Sequence, residues 1–154
     1  MFSVASMKAA LCKNRQNLNV FKWRWNGWVA NKLNTFMWKA LDNNLPTLVA
    51  LKKKRRINIP NTLCSLCGET EEDSDHLFTS CTDATTIWQS INDWCKIPNF
   101  FASSIKDLVM MHSYVKTSNY KKKGIQAIIF TAAWCIWKKG TRLFFGTRRQ
   151  KSTK

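Results

Sequence analysis

Cys64-Ser65-Leu66-Cys67-Gly68-Glu69-Thr70-Glu71-Glu72-Asp73-Ser74-Asp75-His76-Leu77-Phe78-Thr79-Ser80-Cys81 packs four of the eight Cys and His residues of a 154-residue chain into 18 positions. The spacing Cys64-x2-Cys67-x8-His76-x4-Cys81 suits one tetrahedral zinc ion. A Cys-x2-Cys turn aims two thiolates at one metal at about 2.3 Å, and the second pair completes four ligands. Four protein donors leave no position for a substrate water, so the predicted site is structural and not catalytic. Gly68 fits the tight backbone such a knuckle needs. Two incidental thiols and a surface histidine would explain the first pair, but not the convergence of both pairs in one window. Bound zinc supplies roughly 10–16 kcal/mol in small finger peptides, so its loss is expected to unfold at least Leu63 to Trp88.

Outward from this segment, the charge reverses. Residues 61–95 hold seven acids and no Lys or Arg, a net −7, whereas residues 1–60 carry +11 and residues 96–154 carry +12, within a total of +16. Acids beside the cluster favour a divalent cation nearby, although hard carboxylates are poor ligands alongside three thiolates. The two basic arms point to a polyanionic partner, nucleic acid before membrane, because each Lys or Arg near a phosphate releases counterions. The candidate phosphate contacts are Lys52, Lys53, Lys54, Arg55 and Arg56, then Lys121, Lys122 and Lys123, and Arg148 with Arg149. For the run 52–56 a solvated helix end or a nuclear import signal is the competing account. Trp23, Trp25 and Trp28 among basic residues either stack on unpaired bases or, as is commoner for tryptophan, pack in the core.

Eight Trp and nine Phe against five Gly and three Pro describe a folded chain, long enough for one core and too short for two. The expected fold is mainly α: one zinc-clamped helical domain over residues 1–146, with the knuckle at 63–82 and a disordered basic tail at 147–154. Phe2-Ser3-Val4 reads as a short strand, and the alternation of Phe21, Trp23 and Trp25 as an edge strand or extended segment. Val29, Leu33, Phe36, Met37, Ala40 and Leu41 define a helix that ends at Asp42-Asn43-Asn44. Pro46 opens a second helix. After Cys81, Thr82 or Asp83 caps a helix carrying Ile87, Trp88, Ile91 and Trp94, stopped by Pro98. Residues 105–112 predict a short helix, 113–124 a flexible loop, and 125–137 a buried helix, being too short for a bilayer span of about 20 residues.

Cys12, Cys95 and Cys135 lie beside apolar neighbours and read as small buried thiols. The start of the chain has no unbroken apolar stretch, Lys8 interrupting it, so a secreted disulfide framework is not expected. The first 41 residues lack an acid, as transit peptides do, yet their four tryptophans mark folded structure. A reducing intracellular compartment follows, the nucleus included.

Phe2-Ser3-Val4, Trp25-Asn26-x-Trp28-Val29, Lys32-x-Asn34-x-Phe36-x-Trp38-Lys39, Leu45-Pro46-Thr47, Cys64-x2-Cys67-Gly68, His76-Leu77-Phe78-x2-Cys81 and Trp88 together resemble the reverse-transcriptase zinc-binding domain of plant non-LTR retroelements. Trp134-Cys135-Ile136-Trp137-Lys138 is similar to that family's following helix. Ala30 stands where the family often has Pro, and Lys39 where Arg is usual. The resemblance implies zinc on Cys64, Cys67, His76 and Cys81 and a role in binding element RNA or target DNA. No polymerase aspartate pair or endonuclease segment fits within this chain, so a fragment lacking catalytic domains is expected. The competing account is a structural or protein-interaction domain, its acidic loop 69–75 docking a basic partner, or a remnant without nucleic-acid binding. No enzyme activity and no small-molecule substrate are expected: His76 is committed to metal, and His112 has no partner in a recognisable catalytic motif.

Overall fold

A computed structural model of the chain describes residues 24–54, 58–98 and 101–151, the last five as backbone alone. The apolar repeat after Val29 forms α1, Asn31–Leu41, which buries Leu33, Phe36, Met37 and Ala40 along one side. It closes on a left-handed Asn43 (φ 55°), with Asn43 N–H donating to Ala40 O at 3.1 Å and Asn44 N–H to Lys39 O at 2.8 Å. That is the two-bond helix stop in which Asn substitutes for glycine. A short α2, Leu48–Lys53, follows, its first turn capped by the Thr47 hydroxyl, which accepts from Ala50 N. Pro46 therefore precedes the cap instead of opening the first turn.

A π-helical turn, His76–Ser80, leads directly into α3, Thr82–Cys95. Cys81 is the residue before this helix, the place the sequence assigns to Thr82 or Asp83. Lys96 adopts a left-handed conformation (φ 54°) and ends α3 before Pro98 is reached. Helix α4, Ile105–Tyr114, begins at a reciprocal cap in which Ser104 and Asp107 satisfy each other's backbone N–H. Helix α5 runs from Asn119 to Lys151, 33 residues, about 50 Å at 1.5 Å per residue. It starts within the expected loop 113–124, and its backbone stays helical beyond residue 147, where the tail was expected. Residues 125, 129, 130, 133 and 136 are buried at helical spacing along its length, and α1, α3, α4 and the π turn all pack on it. Among the described residues no helix is long and apolar enough to cross a membrane.

Phe36 sits at the centre of the core, edge-on to Phe78 at 6.0 Å and to Trp134 at 5.0 Å between ring centroids. Around it lie Met37, Leu77, Leu108, Met111, Ile129 and Ile136, none more than 1% exposed. The fold is mainly α, as predicted; the sole β feature of the described residues is the isolated bridge Leu63–Glu71. The Phe2–Val4 strand lies outside the described residues, and Arg24–Asn26 are not in a strand.

The tryptophans of the N-terminal motif are not in the core that tryptophans commonly enter, and its asparagines are. Trp25, Trp28 and Trp38 are 59%, 47% and 45% exposed, whereas Asn26 and Asn34 are 3% and 1% exposed. Trp23 lies outside the described residues. Core packing is therefore not the role of Trp25 and Trp28. Asn34 Oδ1 accepts from Asn26 N at 2.9 Å and its Nδ2 donates to Asn26 O at 2.9 Å, as a neighbouring strand would. Asn26 Nδ2 in turn donates to Lys123 O at 2.9 Å and to Gln126 Oε1 at 3.1 Å on α5, and its Oδ1 accepts from Trp28 N at 2.8 Å. One buried amide latch thus ties the Trp25–Trp28 loop to α1 and α5. A buried pair left unpaired costs far more than a satisfied one contributes. Asn34→Ala, which orphans both backbone groups of Asn26, should lower unfolding stability by about 2–3 kcal/mol in urea titration.

Candidate metal centre

The knuckle is shaped by backbone bonds that sequence spacing only implies. Cys64 N donates to Thr70 O at 2.7 Å and Gly68 N to Cys64 O at 2.8 Å, folding the Cys64–Cys67 turn over itself. Gly68 has φ +73° with open space where a Cβ would stand, so its requirement is conformational and not steric. The Leu63–Glu71 bridge and Glu72 N donating to Thr62 O at 2.8 Å close the base of the hairpin.

The second pair of donors depends on the π turn. Five residues along an α-helix rotate a side chain by about 500°, leaving His76 and Cys81 about 140° apart around the axis. Widening the turn, with Cys81 N donating to His76 O at 2.8 Å across five residues, brings them to one side. Such single wide turns recur at functional sites because they re-aim a side chain. Trp88 holds it there: its Nε1–H donates to the buried carbonyl of Phe78 at 2.7 Å. Leu77 and Phe78 anchor the turn in the core. Helix α5 reaches the knuckle at Gly140, which lies against Leu66 and Leu77.

These devices bring together all four residues singled out from the sequence. The ligand atoms of Cys64, Cys67, His76 and Cys81 lie within 4.8 Å of one another. Cys64 and Cys81 Sγ are 4.0 Å apart, and Cys67 Sγ is 3.3 Å from His76 Nε2. A tetrahedron with metal–sulfur arms of about 2.3 Å has edges of about 3.8 Å, which matches this cage. Thr70 Oγ1 lies 2.9 Å from His76 Nδ1 and 3.1 Å from Nε2, placing a hydroxyl beside the imidazole as an outer partner for a ligating ring. Three thiols and an imidazole in this shape fit a soft, tetrahedral ion.

Burial, the largest influence, pushes the Cys64 thiol up to about 12, against backbone N–H groups of Cys67 and Leu66 that lower it. Burial likewise raises Cys81, opposed by the N–H groups of Ala84 and Asp83 at the start of α3. Burial also raises Cys67, but there the N–H groups of Glu69 and Thr70 and the neighbouring thiols prevail, and its thiol lies below the usual value. Cys67 is the readiest thiolate, at the half-buried mouth of the site.

Of the acids around the centre Glu72 alone is buried; the others keep exposed or half-exposed positions, and most of them accept bonds from nearby groups of the fold. Glu72, 6% exposed, accepts from Leu48 N at 3.4 Å and from Ser65 N at 3.1 Å, so one carboxylate caps α2 and steadies the knuckle. Glu71 accepts from Thr62 Oγ1, Asp73 from His76 N, and Asp75 from Ile105 N at the start of α4. Asp83 meets Lys139 of α5 at 3.0 Å. Sequence reasoning counted these acids as a local field and missed Glu72 and Thr70 as supports, since neither spacing nor charge distinguishes an inward carboxylate from a solvated one.

The basic residues lie elsewhere. Lys52, Lys53 and Lys54 are exposed at the end of α2, as are Lys121 and Lys123 on the first turns of α5. Lys122 is part-buried and donates to Ser113 O at 3.1 Å. Arg55 and Arg56 lie outside the described residues, and Arg148 and Arg149 are described as helical backbone alone. Cys135 is exposed and Cys95 half-buried, so Cys135 is not the buried thiol the sequence predicts; Cys12 is outside the described residues.

A helical domain clamped by a Cys3His cluster fit for a metal ion is the class of protein these features define. A family model described as zinc-binding in reverse transcriptase matches residues 2–88, more than half of the chain, and the chain belongs to that family. The match ends at Trp88, before α4 and α5. No curated protein and no solved structure is significantly similar to the chain.

Because Cys64 and Cys81 both sit above 9.0 without metal, each is protonated at neutral pH and must lose its proton on metal binding. Metal affinity should therefore rise with pH, by about two orders of magnitude or more per unit near pH 7. Chelator competition at two pH values checks this; a pH-independent affinity would exclude thiolate ligation by this pair.

Proposed function

We propose that the chain is a non-enzymatic module in which Cys64, Cys67, His76 and Cys81 hold one Zn2+ and the basic surface outside the knuckle binds nucleic acid. The observation that carries this reading is the segregation of charge. Five of the seven acids of residues 61–95 are engaged within the fold, at Glu71, Glu72, Asp73, Asp75 and Asp83. Residues 24–41 and 108–151 contain no carboxylate at all. The zinc would position helices, and lysines distant in sequence from it would meet phosphates. Glu72 is buried and closed to a basic protein, whereas Glu69, Glu71, Asp73 and Asp75 stay exposed, so docking of a basic partner on the loop 69–75 is the second reading.

Zinc is preferred over other soft-site ions because the family is zinc-binding and because Cys3His tetrahedra are closed structural sites. Free thiols in that role belong in a reducing compartment, the nucleus among them. Retroelement RNA or target DNA is the substrate class that fits the reverse-transcriptase family.

Elemental analysis should return one zinc per chain, and Cys81→Ala should lose it together with cooperative unfolding. The holo chain should bind single-stranded RNA or DNA at about 50 mM salt with a steep salt dependence, and replacing Lys52, Lys53 and Lys54 by Gln should lower the log–log slope by about two. Absence of any binding at that salt would overturn the nucleic-acid half of the proposal and leave the zinc half standing.

A further inference from the structure

We infer that Trp25, Trp28 and Tyr120 form a stacking platform for unpaired bases, with Lys121 and Lys123 holding the adjoining phosphates; this rests on the nucleic-acid reading above and names its site. Tyr120 is 73% exposed and Trp25 59%. Trp28 and Tyr120 meet edge to face with centroids 4.5 Å apart at 72°, joining a loop and a helix 92 residues apart in sequence into one aromatic surface. A Cβ at Gly124 would lie 3.4 Å from the Trp28 ring, so α5 offers the indole a flat seat.

The loop that carries Trp25 and Trp28 is pinned by the buried Asn26 amide. With Asn26 bonded to Asn34, Lys123 and Gln126, the residues on either side are turned outward. The arrangement sinks the polar residue of the loop and displays its tryptophans, the reverse of hydrophobic ordering. Contiguous exposed aromatics mark a binding surface: Trp28 and Tyr120 are in ring contact, and exposed Trp25 stands three residues before Trp28 on the same loop.

Charge selects the occupant. Lys121 and Lys123 are exposed on the turn that carries Tyr120, Arg24 is exposed beside Trp25, and Lys32 is exposed in the first turn of α1, which follows the tryptophan loop. No carboxylate occurs in either segment. Aromatic faces interleaved with lysines track a single strand, since every base has a π face and every step a phosphate. A duplex hides its bases and gains from the lysines alone.

The test is anisotropy of labelled strands of about 12 nucleotides, within the usual single-strand site size, as single-stranded RNA, single-stranded DNA and duplex. Trp25→Ala and Tyr120→Ala should each weaken single-strand binding about tenfold, near 1.4 kcal/mol, with the salt slope unchanged because no cation is lost. Tyr120→Phe, which keeps the ring, should stay within about twofold, as should Trp94→Ala, an exposed tryptophan on α3 next to Asp93. Duplex affinity should not respond to any of these changes. Zinc content equal to wild type confirms that the variants fold. Steep, salt-dependent binding that the two alanine variants leave unaltered would overturn the platform while sparing the basic-arm reading. No binding by wild type would overturn both. Equal losses on single strand and duplex, or capture by anionic vesicles and not by strands, would also overturn the platform.

Discussion

Four donor atoms drawn from 18 consecutive residues must meet within one tetrahedron, and the surrounding backbone is bent to that requirement. The hairpin from Thr62 to Glu72 closes so that Cys64 and Cys67 face one point, and Gly68 takes the left-handed conformation that closure demands. On the other side the chain abandons α geometry for a single wide turn, because an α-helix would separate His76 from Cys81 around its axis. Each departure from regular structure leaves backbone groups in search of partners. Trp88 supplies one for Phe78, and Glu72 supplies two, one on α2 and one in the knuckle.

The cluster is thereby continuous with the core. Cys64 and Cys81 are buried beside Leu77 and Phe78, and Phe78 meets Phe36, which meets Trp134 of α5. The long α5 touches the knuckle at Gly140 and the amide latch at Lys123 and Gln126, roughly 25 Å apart at helical rise. Metal centre and tryptophan loop are thus both fastened to one helix. Helix α5 carries no acid along its whole length, so the spine that joins the two also carries much of the positive field.

Much of this was legible in residues alone, and unevenly so. The Cys3His spacing identified the four cluster residues because convergent donors leave a signature in spacing that survives without coordinates. Helical periodicity located α1, α3 and α4 to within a few residues. It underestimated α5, whose basic ends break the apolar pattern while the central stripe, packed on four other elements, carries the helix through them. Thr70 and Glu72 left no such signature, since a threonine and a glutamate become supports only once the hairpin has placed them.

The tryptophan motif shows where a sequence stops deciding. Composition and spacing determined a metal cage, a mainly helical fold and an acidic island between basic arms, because donor type, apolar period and net charge are properties of residues in order. Which side chain of Trp25-Asn26-Gly27-Trp28 faces inward is not such a property. Tertiary structure decided it, by offering Asn26 a set of fixed partners on α1 and α5 that no tryptophan could satisfy. Three buried hydrogen bonds and one part-buried one hold the amide inside, where leaving its groups unpaired would be costly, and the aromatic surface exists because the amide took the interior.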